Sequence, residues 1–306
     1  MPCQMIKYLK HSEIDFLKWD NCINSAHNEL IYANSWYLNI VSPKWDALIL
    51  DDYLAVMPIT WKRKYGIKYA FPPLFTQQLG IFSKNQLSSL QVESFLHCLS
   101  NEFRFIDIFL NSKNFTESSI FSLIPKPNYL LSLNNSYEEL KNKYSTNCKR
   151  NINKAIKNQL VIRSSDAKVI IDLYRNNYNH IATNCTHNDY LKFEALVDLI
   201  QKKGNAEILG VYSNDELCSG AIFFKENKRI YYMLGANNGI GKKNGAFHFL
   251  INSIVLKYSG SDLMLDFEGS EIKSIEDFYL QFGSIKEDYF YLKINNLPWL
   301  LNVFKK

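Results

Sequence analysis

One order of elements is written twice along this chain of 306 residues, and that doubling constrains its fold more than any single motif. In the first half, apolar periodicity predicts helices over 14–26 and 35–41, then strands over 47–50, 54–61 and 67–71. A helix over 86–103 carries Val92, Phe95, Leu96 and Leu99 on one stripe. A strand over 105–110, a short helix over 114–122 and a strand over 129–133 follow. The second half repeats the order. Helices over 167–181 and 190–203 precede strands over 207–212, 218–225 and 229–235. After them come a helix over 244–258, a strand over 263–267, a helix over 275–282 and a strand over 289–294. The expected class is α/β with mixed sheets, in two tandem domains, 1–134 and 135–306, with a cleft between them.

The second domain opens with a linking helix predicted over 137–159. Ile152, Ala155, Ile156 and Leu160 share one face, and Arg150, Lys154 and Lys157 share the opposite one. Read alone, that basic face is either a solvated surface or an anion site, with Arg150 and Lys154 as candidate substrate-binding groups. A net charge of +5 fits a phosphate-bearing ligand without demanding nucleic acid. With 47% hydrophobic residues the chain can build a core, yet no apolar run approaches the roughly 20 residues needed to span a bilayer. Six scattered cysteines contain no C-x-x-C pair, and no basic-then-apolar leader opens the chain. The expectation is a cytoplasmic protein.

Chemistry is concentrated in two adjacent segments of the second half. The run Arg229-Ile-Tyr-Tyr-Met-Leu-Gly-Ala236 ends at glycine and leads through Asn237-Asn-Gly-Ile-Gly-Lys-Lys-Asn-Gly-Ala246 into an amphipathic helix. A glycine-rich loop at a helix start offers backbone N–H groups to an anion, and Lys242 and Lys243 add charge. An ordinary turn with an exposed lysine pair explains the same residues. Next, Leu263-Met-Leu-Asp-Phe-Glu-Gly-Ser270 places Asp266 and Glu268 on one face if it is a regular strand. Paired carboxylates at a strand end suit a base for an ammonium substrate, or serve as a polar cap. In the first half, Tyr69-Ala-Phe-Pro-Pro-Leu-Phe-Thr-Gln-Gln78 occupies the slot of the glycine loop. Its rings and amides, Phe75, Gln77 and Gln78, suit the wall of a substrate pocket. His180, Cys185 and His187 lack a fourth metal ligand, and no metal is expected. No G-x-S-x-G elbow supports acyl-enzyme chemistry.

These residues carry a resemblance. Asn147-Cys-Lys-Arg-Asn-Ile-Asn-Lys-Ala155, Gly235-Ala236, Asn244-Gly-Ala246, Leu265-Asp-Phe-Glu-Gly-Ser270 and Phe278 with Gln281-Phe-Gly283 resemble the FemAB-related branch of the GNAT acyltransferase superfamily. In the first half, Ser35-Trp-Tyr37, Met57-Pro58 and the stretch 72–80 are similar to bacterial members. The resemblance covers nearly the whole chain and rests on the order of loose motifs. It implies two GNAT-like domains and transfer of an acyl or aminoacyl group from a carrier to an amine in the cleft. The donor is acyl-CoA, such as acetyl-CoA, or an aminoacyl-tRNA. The acceptor is a small-molecule or cell-wall-precursor-like amine. Donor-binding positions are then Gly235, Ala236, Lys242, Asn244, Gly245 and Ala246, and Arg150 faces the acceptor. Asp266 and Glu268 are base candidates and Tyr232 a candidate acid. Phe247 stands where the coenzyme A signature has a small residue, which keeps aminoacyl-tRNA open. The alternative is a catalytically inactive module that binds a phosphate-bearing ligand or RNA.

Overall fold

The computed structural model describes residues 5–117, 120–178 and 185–298. Along the first part of the chain lie β1 (Ile6–Leu9), α1 (Phe16–Ser25), α2 (Ser35–Val41), β2 (Asp46–Leu50), β3 (Ala55–Ile59), β4 (Trp61–Lys64), β5 (Ile67–Ala70), β6 (Phe82–Ser83), α3 (Ser89–Glu102), β7 (Phe105–Leu110) and β8 (Leu123–Ser132). Next come α4 (Tyr137–Asn142), α5 (Thr146–Lys157), β9 (Val161–Ser164), α6 (Ala167–Tyr178), α7 (His187–Lys202), β10 (Ala206–Ser213), β11 (Glu216–Glu226) and β12 (Arg229–Asn237). The chain continues with α8 (Gly239–Asn244), α9 (Ala246–Tyr258), β13 (Met264–Asp266), α10 (Lys273–Leu280) and β14 (Ile285–Asn295).

Two compact units result, one formed by 1–126 with 288–306 and the other by 127–287. They depart from the expected division at 134/135 because the closing strands are exchanged. In the first unit β7 pairs antiparallel with β14, through Leu110↔Phe290 to Phe105↔Asn295. In the second, β13 pairs antiparallel with β8, through Met264↔Ser132 to Asp266↔Leu130. Each unit therefore borrows its last strand from the other half of the sequence. The first unit packs α3 through Val92, Phe95, Leu96 and Leu99 against β2, β3 and β7 residues such as Leu48, Met57 and Ile106. In the second, Leu250, Ile251, Ile254 and Val255 of α9 meet Ala221, Phe223, Ile230 and Leu265. The 3.6-residue stripe read from the sequence is thus the buried face of α9.

Two local expectations change, and a third runs beyond the described residues. The linking helix is two helices, parted at Lys143–Ser145, where Ser145 caps α5 by accepting from the Cys148 N–H. Cys148, Ile152 and Ala155 form the buried face of α5, while Ile156 is exposed. Residues 114–117 and 120–122 form no helix. Asn114 is buried instead, its side chain accepting from the Ile81 N–H at 2.6 Å and donating to the Ile81 carbonyl at 3.0 Å. The predicted helix ending at 181 is described only to Tyr178, and His180 lies outside the described residues.

Candidate functional site

The second unit contains a parallel strand pair that stops short. β12 and β13 pair only through Arg229↔Met264, Ile230↔Leu265 and Tyr231↔Asp266. β12 then runs on to Asn237, paired to β11 alone, with a register shift between Ile222 and Phe223 that lies opposite Met233. All six residues from Tyr232 to Asn237 border a cavity of about 550 Å³. That size accommodates a drug-sized ligand. At the far end of that edge the Asn237 carbonyl accepts from the Tyr178 hydroxyl at 3.3 Å, and the main-chain groups before it, with no strand beside them, can grip a carbonyl or amide. Gly235 makes room for two rings of the wall: an added Cβ would lie 2.0 Å from Tyr232 Oη and 2.5 Å from Phe247 Cζ.

Glu268 lines the same cavity. Among the described residues on the cavity wall it is the single acidic side chain. Its backbone is left-handed, with φ of 57°, which breaks the strand alternation after Asp266. The turn is held by its neighbour: the Glu268 N–H donates to Asp266 Oδ1 at 3.0 Å. Asp266 itself is fully buried and is absent from the cavity wall. Its Oδ1 also accepts from Asn128 Nδ2 at 3.0 Å, and its Oδ2 lies 2.7 Å from Arg229 Nη1. The two carboxylates expected on one face are therefore divided in role, one engaged internally and one at the cavity.

Aromatic rings make most of the remaining wall. Tyr232 packs on Phe247 with ring centroids 5.7 Å apart, and Phe247 on Phe278 at 5.5 Å. Phe267 stacks on Tyr279 at 4.7 Å, and Tyr174 on Tyr178 at 5.5 Å. Burial pushes the Tyr232 phenol well above its ordinary range, with Tyr279, Tyr178, Tyr174 and Glu268 adding to the effect. Tyr279 rises for the same first reason, reinforced by Glu268 and Asp266. Both hydroxyls keep their protons at neutral pH and remain hydrogen-bond donors. Lys242 lies on the wall with Nζ 5.3 Å from the Tyr178 ring centroid. The described thiols are poor nucleophiles: burial pushes Cys218 to about 11 and Cys148 to about 12. Among the described residues no group of three or more His, Cys, Asp or Glu could hold a metal ion.

No protein-family model matches the chain, and no curated protein matches it in sequence. Solved structures do. FemX superposes with a TM-score of 0.64 over 98% of this chain and 100% of its own, at 13% identity. A conserved protein of unknown function from Bacteroides thetaiotaomicron gives 0.61 over 94% and 100%, at 10% identity. A tandem GNAT protein from the clavulanic acid biosynthesis pathway gives 0.51 over 96% and 99%, at 9%. The fold is FemAB-related and GNAT-like.

Within this GNAT-like fold the residues picked from sequence separate into two groups. Tyr232, Gly235, Ala236, Lys242, Gly245 and Glu268 come together around the cavity. Asn244 and Ala246 do not line it: Asn244 Oδ1 accepts from Asn158 Nδ2 at 2.9 Å, and Ala246 is fully buried. The segment read as an open glycine loop is mostly the helix α8, whose Gly241 N–H is taken by the Asn238 side chain. Gly245 ends it in a left-handed turn, φ 72°, pressed on α5 so that a Cβ would lie 2.4 Å from the Asn151 carbonyl oxygen. Gly245→Ala is accordingly expected to cost about 2 kcal/mol in denaturant unfolding, from backbone strain plus that clash. Gly260→Ala, at φ 77° with nothing within 4 Å, should cost only about 1 kcal/mol. Equal losses would show that α5 does not confine the turn.

From α5 the cavity receives Asn151, while Arg150 and Lys154 are exposed and off its wall. Arg150 and Lys154 are exposed where Asn151 is half-buried, so the basic stripe belongs to the surface. Tyr174 and Tyr178, spaced i, i+4 on α6, were the missed signal, since that spacing puts both rings on one helix face.

In the first GNAT-like unit the equivalent opening is filled by its own chain. β5 and β7 pair in parallel at Ala70↔Ile106 only. Leu79 then takes the place beside β7, its N–H donating to the Phe109 carbonyl at 3.0 Å and its carbonyl accepting from the Asn111 N–H at 2.9 Å. A void of about 20 Å³ remains, bordered by Gln77 and Gln78 but not Phe75. That is room for about one water, so the three residues expected to wall a substrate pocket instead pack a plug. Phe75 holds the loop through its carbonyl, which accepts from the Tyr37 hydroxyl.

Proposed function

We propose that the second unit transfers an acyl or aminoacyl group from a carrier to an amine. One observation carries the reading: the edge of β12 that no strand covers and Glu268 border the same cavity. A carbonyl laid along the β12 edge would be polarised by main-chain N–H groups, which also meet the oxyanion as it forms. The acceptor arrives as an ammonium. Glu268 takes its first proton and leaves a nucleophilic amine. After attack the carrier departs as a thiolate or alkoxide, and the neutral Tyr232 phenol protonates it. The acceptor is a small-molecule or cell-wall-precursor-like amine, and its apolar body would lie against Phe247, Phe267 and Phe278.

The donor is acyl-CoA or aminoacyl-tRNA. Thermal unfolding of the full chain with saturating acetyl-CoA, and separately with aminoacyl-tRNA, distinguishes them. A ligand at 100 times its Kd stabilises the native state by about 2.7 kcal/mol, so one donor should raise the unfolding temperature by several degrees. A shift with neither would contradict transfer from these carriers.

A further inference from the structure

α9 carries His248 on the cavity wall, less than one turn beyond Gly245. Its Nε2 lies 3.2 Å from Gln281 Oε1. The same Gln281 oxygen faces Asn147 Nδ2 at 2.8 Å, and Asn147 Oδ1 faces Arg150 Nη2 at 2.6 Å. A guanidinium only donates, so the Asn147 atom beside it must be the carbonyl oxygen. The Asn147 amide nitrogen therefore donates to Gln281, which makes the shared Gln281 atom an oxygen. A carbonyl oxygen only accepts, so His248 Nε2 must carry the ring proton. Nδ1 is then bare, and no described residue hydrogen-bonds to it.

The backbone fixes this relay as well. The Ser145 N–H at the start of α5 donates to the Gln281 carbonyl at 2.9 Å. The imidazole stands edge-on to Phe278 at 4.8 Å and inclined 29° to Phe282 at 5.9 Å. Burial among these rings lowers its pKa against the opposing effect of Gln281, so the ring is neutral at pH 7.

We propose that His248 is a proton-accepting residue of the cavity, with Nδ1 the accepting atom and Gln281, Asn147 and Arg150 as positioning residues. The inference rests on the transfer reading. An ammonium must lose two protons to become an amide. Glu268 takes the first, before attack. As the C–N bond forms and the bond from acyl carbon to carrier sulfur or oxygen breaks, the second passes to His248 Nδ1. Tyr232 protonates the departing carrier, the imidazolium proton then restores the phenol, and Glu268 gives its proton to solvent.

Histidine ¹⁵N spectra of the full chain at pH 7.5 should show His248 as the Nε2–H tautomer, and Gln281→Leu should turn it into a mixture. An Nδ1–H tautomer in the unmodified protein would overturn the relay. In the turnover assay, His248→Gln should lower kcat about 100-fold with KM little changed, and Gln281→Leu should fall between. Undiminished kcat in His248→Gln would overturn the catalytic role while leaving the transfer reading intact. If the unmodified protein transfers nothing, that reading fails, and titration with hexylamine still decides the histidine. Movement of the Nδ1 resonance supports it, and none overturns it.

Discussion

Glu268→Gln should reduce turnover by about 10²–10⁴-fold, the usual contribution of a positioned base, while the protein folds and binds its donor as before. Glutamine keeps the length and shape of the side chain, so the left-handed turn at φ 57° and the Glu268 N–H bond to Asp266 survive. What disappears is the capacity to take a proton from the acceptor ammonium. Raising the pH should restore part of the rate, because more of the amine then arrives already neutral. A variant with full turnover at pH 7 would remove Glu268 from the reaction and leave its place on the wall to binding alone.

Breaking the Arg229–Asp266 pair should have the largest effect on stability. Asp266 is wholly buried and Arg229 mostly so, with nitrogen and oxygen 2.7 Å apart. Removing one partner strands the other's charge in the interior, at a cost of about 3–5 kcal/mol. Arg229→Leu or Asp266→Leu should each lower the unfolding free energy, read by denaturant titration, by that much. The double variant should recover a large part, because two apolar side chains replace the pair without leaving a lone charge. Asp266 also fastens the Glu268 turn, so the double variant should remain slow even where it is stable. If the double variant is as unstable as the singles, the loss comes from packing and not from an uncompensated charge.

Much of the architecture can be read in the chain because it is written in local periodicity. The stripe from Leu250 to Val255 defines the buried face of α9, and β10 to β12 each carry a short apolar run bounded by polar residues. The strand exchange is not local. Nothing in the residues of β8 or β14 says which half of the chain supplies their partner. At the site, Tyr232, Gly235 and Glu268 were legible because a strand leading to glycine, and a carboxylate before glycine, are local patterns. The separation of Asp266 from Glu268 was not, since it depends on one positive φ and on Asn128 and Arg229, distant in sequence. The glycine–lysine segment misled for a similar reason. Asn238 and the packing of Asn151 on Gly245 turn an apparent loop into a capped helix. His248 has no local signature, because the placement of its proton depends on Arg150, Asn147 and Gln281.

Amide hydrogen exchange with and without donor reads the working edge of the second unit directly. Acetyl-CoA or aminoacyl-tRNA should protect the peptide covering Tyr232 to Asn237, while the stretch 71–80 that plugs the first unit exchanges at the same rate with and without donor. Protection confined to 71–80, or none along β12 with either donor bound, would contradict a carbonyl held on that strand.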